Sequence, residues 1–233
     1  MKKTLFILTM ISIFVSCKQE ETPKVIYPKS EEQIEFQKID TIELKITDLP
    51  IHIKGLDYLI HPIGKIGVKN SKGNYEYTNA VNYHIASYNY PQITGAIHNI
   101  AFQDIATDSV KVLTNHKMHI HSITYLDEIA SNKKYLLYEL YDIDTNKDKA
   151  IDVKDIKSLY LSEQSGHEFT KISPQLQEVI DWKVIKAKNK LYFRTIDDIN
   201  KNGIFDPKDI LNHYFIDFTA DSLEIVKYNI EHR

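Results

Sequence analysis

The chain has 233 residues, enough for one domain of moderate size, with 42% apolar residues to fill a core and 26% charged residues. Its net charge is −3, from 29 basic and 32 acidic residues, and no basic run is long enough to track a phosphate backbone, which excludes a nucleic-acid partner on charge grounds. The 15 tyrosines, the abundance of Ile and Val and the 7 glycines favour strands over helices.

The first 17 residues read as an export signal rather than as fold. Lys2 and Lys3 precede an apolar stretch from Leu5 to Val15, and the stretch ends at Ser16–Cys17. It is too short to span a membrane. The segment resembles a bacterial lipoprotein signal, cut before Cys17, although Phe14 stands where Leu is usual. The resemblance implies that Cys17 is lipidated and anchors the chain to a membrane. No cysteine follows it, so no intramolecular disulfide can form and an exported domain needs another brace.

Residues 18–38 are polar and charged and carry two prolines, and they read as a flexible tether. The Lys-Gln-Glu-Glu run after Cys17 resembles the acidic motif that directs some Gram-negative lipoproteins to the cell surface. That resemblance implies an outer-membrane lipoprotein exposed on the cell. Residues 39–233 form the expected all-β domain. Within it, "TIELKITDLPIHI" alternates apolar and polar residues as a strand does, and "DYLIHPIGKIGV" and "VNYHIASYNY" are further strand candidates.

Three stretches then superimpose without gaps: "AFQDIATDSVKVLT" from Ala101, "YLSEQSGHEFTKIS" from Tyr160 and "YFIDFTADSLEIVK" from Tyr214. Each places an acid three residues in (Asp104, Glu163, Asp217) and apolar residues six and nine further on. Each reads as strand, polar turn, strand. Upstream of the last two copies, two more strands join at Lys/Asn-rich turns, Ser131–Lys133 and Lys188–Lys190. One unit therefore has four strands. The pattern over residues 98–228 resembles TolB-like and WD40-like β-propellers, which implies propeller-like four-stranded repeats, about three to four of them, in an open or very small arrangement. The alternative is an antiparallel β-sandwich whose hairpins look alike.

Two twelve-residue segments carry the chemistry. "DINKNGIFDPKD" (198–209) places Asp198, Asn200, Asn202, the Ile204 carbonyl, Asp206 and Asp209 at positions 1, 3, 5, 7, 9 and 12, with Gly203 at position 6. Those are the ligand positions of an EF-hand loop, which wraps a hard cation and turns alternate oxygens inward. "DTNKDKAIDVKD" (144–155) repeats the frame with Asp144, Asn146, Asp148, the Ala150 carbonyl, Asp152 and Asp155. The loops start 54 residues apart and fall at the same place in the repeat, between its second and third strands. Two Ca2+ sites of structural character follow, with paired Asx-rich turns as the plainer alternative.

The loops depart from the EF-hand in three ways. Lys149 replaces Gly at position 6 of the first loop, where a left-handed backbone costs about 1 kcal/mol. Position 12 is Asp in both, as in dockerin-like calcium loops. The flanks read as strands, so at most one helical turn fits, near Val153–Ile156 or Pro207–Ile210.

Other chemistry is thin. His116, His119 and His121 could hold zinc, but no further ligand is placed with them. Trp182 reads as core or as a rim aromatic, and the tyrosine-rich "YHIASYNY" as an exposed strand or a binding surface. There is no His-Glu-x-x-His, Gly-x-Ser-x-Gly, Walker or dinucleotide motif. The expectation is a lipid-anchored, calcium-binding module that binds a protein or glycan or serves as structure. A surface hydrolase with structural calcium, or a plain β scaffold with empty loops, is the alternative.

Overall fold

The computed structural model describes residues 22–27, 45–65, 67–71, 74–78, 83–87, 90–127, 129, 133–220 and 222–230. The segment read as an export signal, Cys17, Tyr88 and Asn89 lie outside these residues. The fold is all-β, as expected. Every strand pairing is antiparallel, and the only helical piece among the described residues is a single 3-10 turn at Lys186–Lys188.

The first sheet runs β1 (Lys45–Thr47), β3 (Tyr58–Lys65), β8 (Asn99–Asp104) and β9 (Val110–Val112), with β2 (Ile51–His52) also paired to β3. The second has six strands. Their order is β13 (Thr170–Lys171), β12 (Lys157–Glu163), β11 (Tyr135–Tyr141), β10 (His119–Leu126), β7 (Pro91–Ile97) and β6 (Tyr83–Ser87). The third is a meander of β14 (Glu178–Ile185), β15 (Lys190–Asp197), β16 (Ile210–Asp217) and β17 (Ile225–Tyr228). A separate hairpin joins β4 (Gly67–Ser71) and β5 (Asn74–Thr78). No barrel or ring closure is seen among the described residues.

The second sheet is the middle layer. Its strand β11, Tyr-Leu-Leu-Tyr-Glu-Leu-Tyr, is apolar at almost every position because both of its faces are covered. Leu136, Tyr138 and Leu140 pack in one core with Ile60, Ile100 and Phe102 of the first sheet. Tyr135 and Leu137 pack in another with Leu191, Phe193 and Ile216 of the third. Neighbouring β12 divides the same way, Tyr160 to the first core and Leu159 and Leu161 to the second. In β10 the pairing to both neighbours shifts between Ile120 and Ser122. The extra residue at this bulge puts Ile120 and Ile123 in one core although they lie three positions apart.

The three matched stretches are the hairpins β8–β9, β12–β13 and β16–β17, and each closes one edge of its sheet. The aligned acids Asp104 and Asp217 are turn residues, accepting N–H bonds from Ala106 and Thr107 and from Thr219. The Lys188–Lys190 turn is present, with Asn189 left-handed at φ 50°. Strands β1–β3 join the first sheet, while β6 and β7 extend the second beyond β10. Without β7, β10 would present a bare row of N–H and C=O groups at the molecule's middle layer.

Leu136→Ala and Leu191→Ala, each at a fully buried site in a different core, are each expected to lower unfolding free energy by about 2–5 kcal/mol. Leu49→Ala, 79% exposed, is expected to change it by less than about 0.5 kcal/mol. Denaturant titration monitored by tyrosine fluorescence measures all three.

Candidate metal centre

Both twelve-residue loops connect the second and third strands of a four-strand run, β11 to β12 and β15 to β16. A strand that leaves a sheet and returns antiparallel needs a connection whose own polar backbone is satisfied. Here the acids and asparagines of the frame supply the acceptors, and positions 1, 3, 5, 9 and 12 do so in both loops.

In the first loop, Asp144 accepts the N–H groups of Asp148 (3.1 Å) and Lys149 (2.8 Å). In the second, Asp198 accepts those of Asn202 (3.3 Å) and Gly203 (2.7 Å). The position-3 amide oxygens take the position-5 N–H, Asn146 from Asp148 and Asn200 from Asn202, each at 2.9 Å. Asp148 and Asn202, at position 5, accept from Ala150 and Ile204 at 2.9 and 2.7 Å. Asp152 and Asp206, at position 9, accept from Lys154 and Lys208 at 2.8 and 2.7 Å. The closing acids tie the two ends of each loop together. Asp155 accepts from Thr145 (2.8 Å) and Asp152 (2.9 Å), and Asp209 from Ile199 (3.3 Å) and Asp206 (2.9 Å).

The backbone matches as well. Positions 4 and 6 are left-handed in both loops, Lys147 and Lys149 at φ 60° and 73°, Lys201 and Gly203 at 57° and 80°. Lys149 therefore does adopt the conformation that glycine takes in the second loop. The segments after position 9 make one turn, closed by the N–H of Asp155 to Asp152 and of Asp209 to Asp206, each at 3.1 Å, and not a helix.

The environments of the two loops differ. Asp155 is completely buried, and burial raises its carboxyl pKa while the N–H groups of Asp152, Asn146 and Thr145 pull it back. Asp198 is buried, and Asp144, Asn146, Asp152, Asp206, Asp209 and Ile204 are half-buried. Asp148, Ala150, Asn200 and Asn202 are exposed. The Ala150 N–H lowers the pKa of Asp148. The Lys154 ammonium lies 3.5 Å from Asp148 and 3.8 Å from Asp152, so the first loop already carries a competing cation.

Residues 22–27, within the stretch read as a tether, lie across both loops. The Lys24 N–H donates to the Gly203 carbonyl and the Ile26 N–H to the Thr145 carbonyl, each at 2.8 Å. The Thr145 hydroxyl donates to the Lys24 carbonyl at 2.7 Å. Val25 is buried, and the Lys24 ammonium pairs with Glu178 at 2.9 Å. The Tyr27 hydroxyl is buried with no partner in hydrogen-bonding geometry; burial first, and then the Asp198 carboxylate near it, raise its pKa. The apolar Val25-Ile26-Tyr27 run was the one sequence signal for this docking.

The zinc reading of His116, His119 and His121 is not supported. The three are not gathered into one group; His119 packs on His98 and Tyr141, and burial lowers its pKa. Among the described residues, the acids and histidines whose ligand atoms all lie within 4.8 Å of one another are Glu163, His167 and Glu168, and the loops contribute no such group. Glu163 there is also 3.7 Å from the Lys133 ammonium. Beside the first loop, buried Asp142 accepts from Ser158, Tyr160 and Lys171 at 3.0, 2.8 and 2.8 Å, a satisfied network that sequence alone did not single out. Trp182 is half-buried at the rim of the second core, its ring 6.5 Å from that of Tyr90. The two rings line a cleft of about 550 Å3 with Gln92, Thr124, Lys183 and Lys186.

Comparison with models of protein families, with curated proteins and with solved structures finds no match.

A Cβ at Gly203 would stand 2.3 Å from the Val25 carbonyl oxygen and 2.6 Å from Pro23 Cβ, on a backbone already at φ 80°. Gly203→Ala is expected to destabilise the protein by about 2 kcal/mol or more. Lys149→Ala, at a position that already carries a Cβ, is expected to change stability by under about 0.5 kcal/mol. Melting of the two variants contrasts adding a Cβ beneath the docked segment with trimming a side chain at the equivalent position, which already bears one.

Proposed function

We propose that the chain is an exported, lipid-anchored envelope protein whose two loops each bind calcium and whose stacked sheets form a propeller-like binding or structural module at the cell surface. The observation that carries this reading is the duplicate hydrogen-bond frame of residues 144–155 and 198–209, set at the same point of two strand runs. The donor set is oxygen only, which suits a hard dication with flexible coordination and does not suit zinc. Asp144, Asn146, Asp148, Asp152 and Asp155 would hold one ion with the Ala150 carbonyl, and Asp198, Asn200, Asn202, Asp206 and Asp209 a second with the Ile204 carbonyl. The first loop carries four acids and the second three within twelve residues, so an ion would offset their mutual repulsion and stiffen a long connection. The role is a brace in a chain with no cysteine after Cys17. Lys154 makes the first loop the weaker of the two.

The binder is favoured over the hydrolase by what lines the clefts. Among the described residues, the cleft at Trp182 and Tyr90 has aromatic faces, an amide and lysines and no carboxylate pair. A smaller one of about 300 Å3 on the other side of Trp182 carries Asp181, which is already paired with Arg194. A protein or glycan ligand fits such a surface better than an acid–base mechanism does.

Millimolar calcium is expected to raise the melting temperature of the purified protein relative to EDTA. A site filled at a hundredfold excess over its Kd adds about 2.7 kcal/mol. Asp198→Ala and Asp144→Ala are each expected to reduce that rise, Asp198→Ala more. A melting temperature equal in calcium and EDTA would leave the loops as polar turns and the brace unsupported.

A further inference from the structure

We propose that residues 22–27 are a calcium-responsive latch: they dock on the two loops when these hold calcium and loosen when the ion is removed. The inference rests on the calcium reading above and adds its regulation.

The coupling is built into two peptide units. The carbonyl of Gly203 accepts the Lys24 N–H, and the N–H at the other end of that peptide, from Ile204, donates to the side chain of Asn202 at 2.7 Å. The carbonyl of Thr145 accepts the Ile26 N–H, and the N–H at the other end of that peptide, from Asn146, donates to Asp155 at 3.2 Å. Asn202 and Asp155 are ion ligands in the proposed sites, at positions 5 and 12. Each latch bond therefore ends on a peptide whose opposite edge is held by a side chain that the ion would fix. An ion that sets those side chains sets the tilt of both acceptor carbonyls. Without it, acid repulsion loosens the side chains and the carbonyls lose their aim together.

The contact also runs the other way. Docked, the segment buries the Tyr27 hydroxyl and sets Val25, itself buried, against the Gly203 turn. Lys24 binds Glu178, whose other oxygen accepts the Lys157 N–H at 2.8 Å, just past the end of the first loop. The segment thus holds the two ends of the first loop and the sixth position of the second in their ion-ready shape. Linkage requires that what calcium does for docking, docking does for calcium.

The experiment measures hydrogen exchange of the full chain, purified in detergent, with isothermal titration of calcium into the same sample and into Val25→Asp. The expected result is that calcium slows exchange at the Lys24 and Ile26 amides at least tenfold over EDTA. Val25→Asp is expected to weaken calcium affinity about fivefold or more while the two cores keep their exchange protection. Calcium heat in the wild type with equal exchange at Lys24 and Ile26 in both conditions overturns the latch and leaves the calcium sites standing. No calcium heat in the wild type overturns both.

Discussion

A strand covered on both faces has only its two edges left for hydrogen bonds, and the protein is organised around that constraint. β11 sits in the middle layer with β10 and β12 along its edges and a separate core against each face. Everything else follows from feeding this strand. Its chain must leave the layer at Tyr141 and return at Lys157 as an antiparallel neighbour, and residues 142–156 are that return. The third sheet repeats the solution between Asp197 and Ile210. The loops are therefore the connections on which pairing at the centre of two sheets depends.

Such connections have polar backbones that cannot be left bare. The protein satisfies them with side chains of its own, an acid at each end of the loop and both acids and amides between. The same choice concentrates negative charge, and the two copies resolve this differently. The first loop has Lys154 alongside its acids and a lysine at the left-handed sixth position. Among the described residues no ammonium pairs with the acids of the second, and its sixth residue is a glycine on which the N-terminal segment rests. The two loops share a frame but not the same room for a cation.

Much of this was legible in the sequence because fixed spacing is local. The two loop frames needed only twelve consecutive residues, and the three hairpins β8–β9, β12–β13 and β16–β17 needed only alternation and a turn. Even the left-handed lysine at 149 was implied by the register of its loop. Partner choice was not legible. Nothing in "VNYHIASYNY" or in the strand after it tells β6 and β7 to extend the middle sheet, since alternation sets a face and not a neighbour. The Asp142 network was hidden for the same reason, because Ser158, Tyr160 and Lys171 reach it only once three strands are aligned. The segment 22–27 read as tether because prolines and charges surround it, and three apolar residues are too few for a periodic signal.

That segment has a consequence for the order in which the molecule assembles. Lys24 finds Thr145 at a separation of 121 residues and Glu178 at 154, among the longest-range hydrogen bonds in the fold. Such contacts close the largest loops and contribute only after the intervening chain is in place. An early-synthesised piece of chain must then wait for two late ones, and it can seat fully only when both of its acceptor carbonyls exist. Its seating reports that assembly of the second and third sheets is complete.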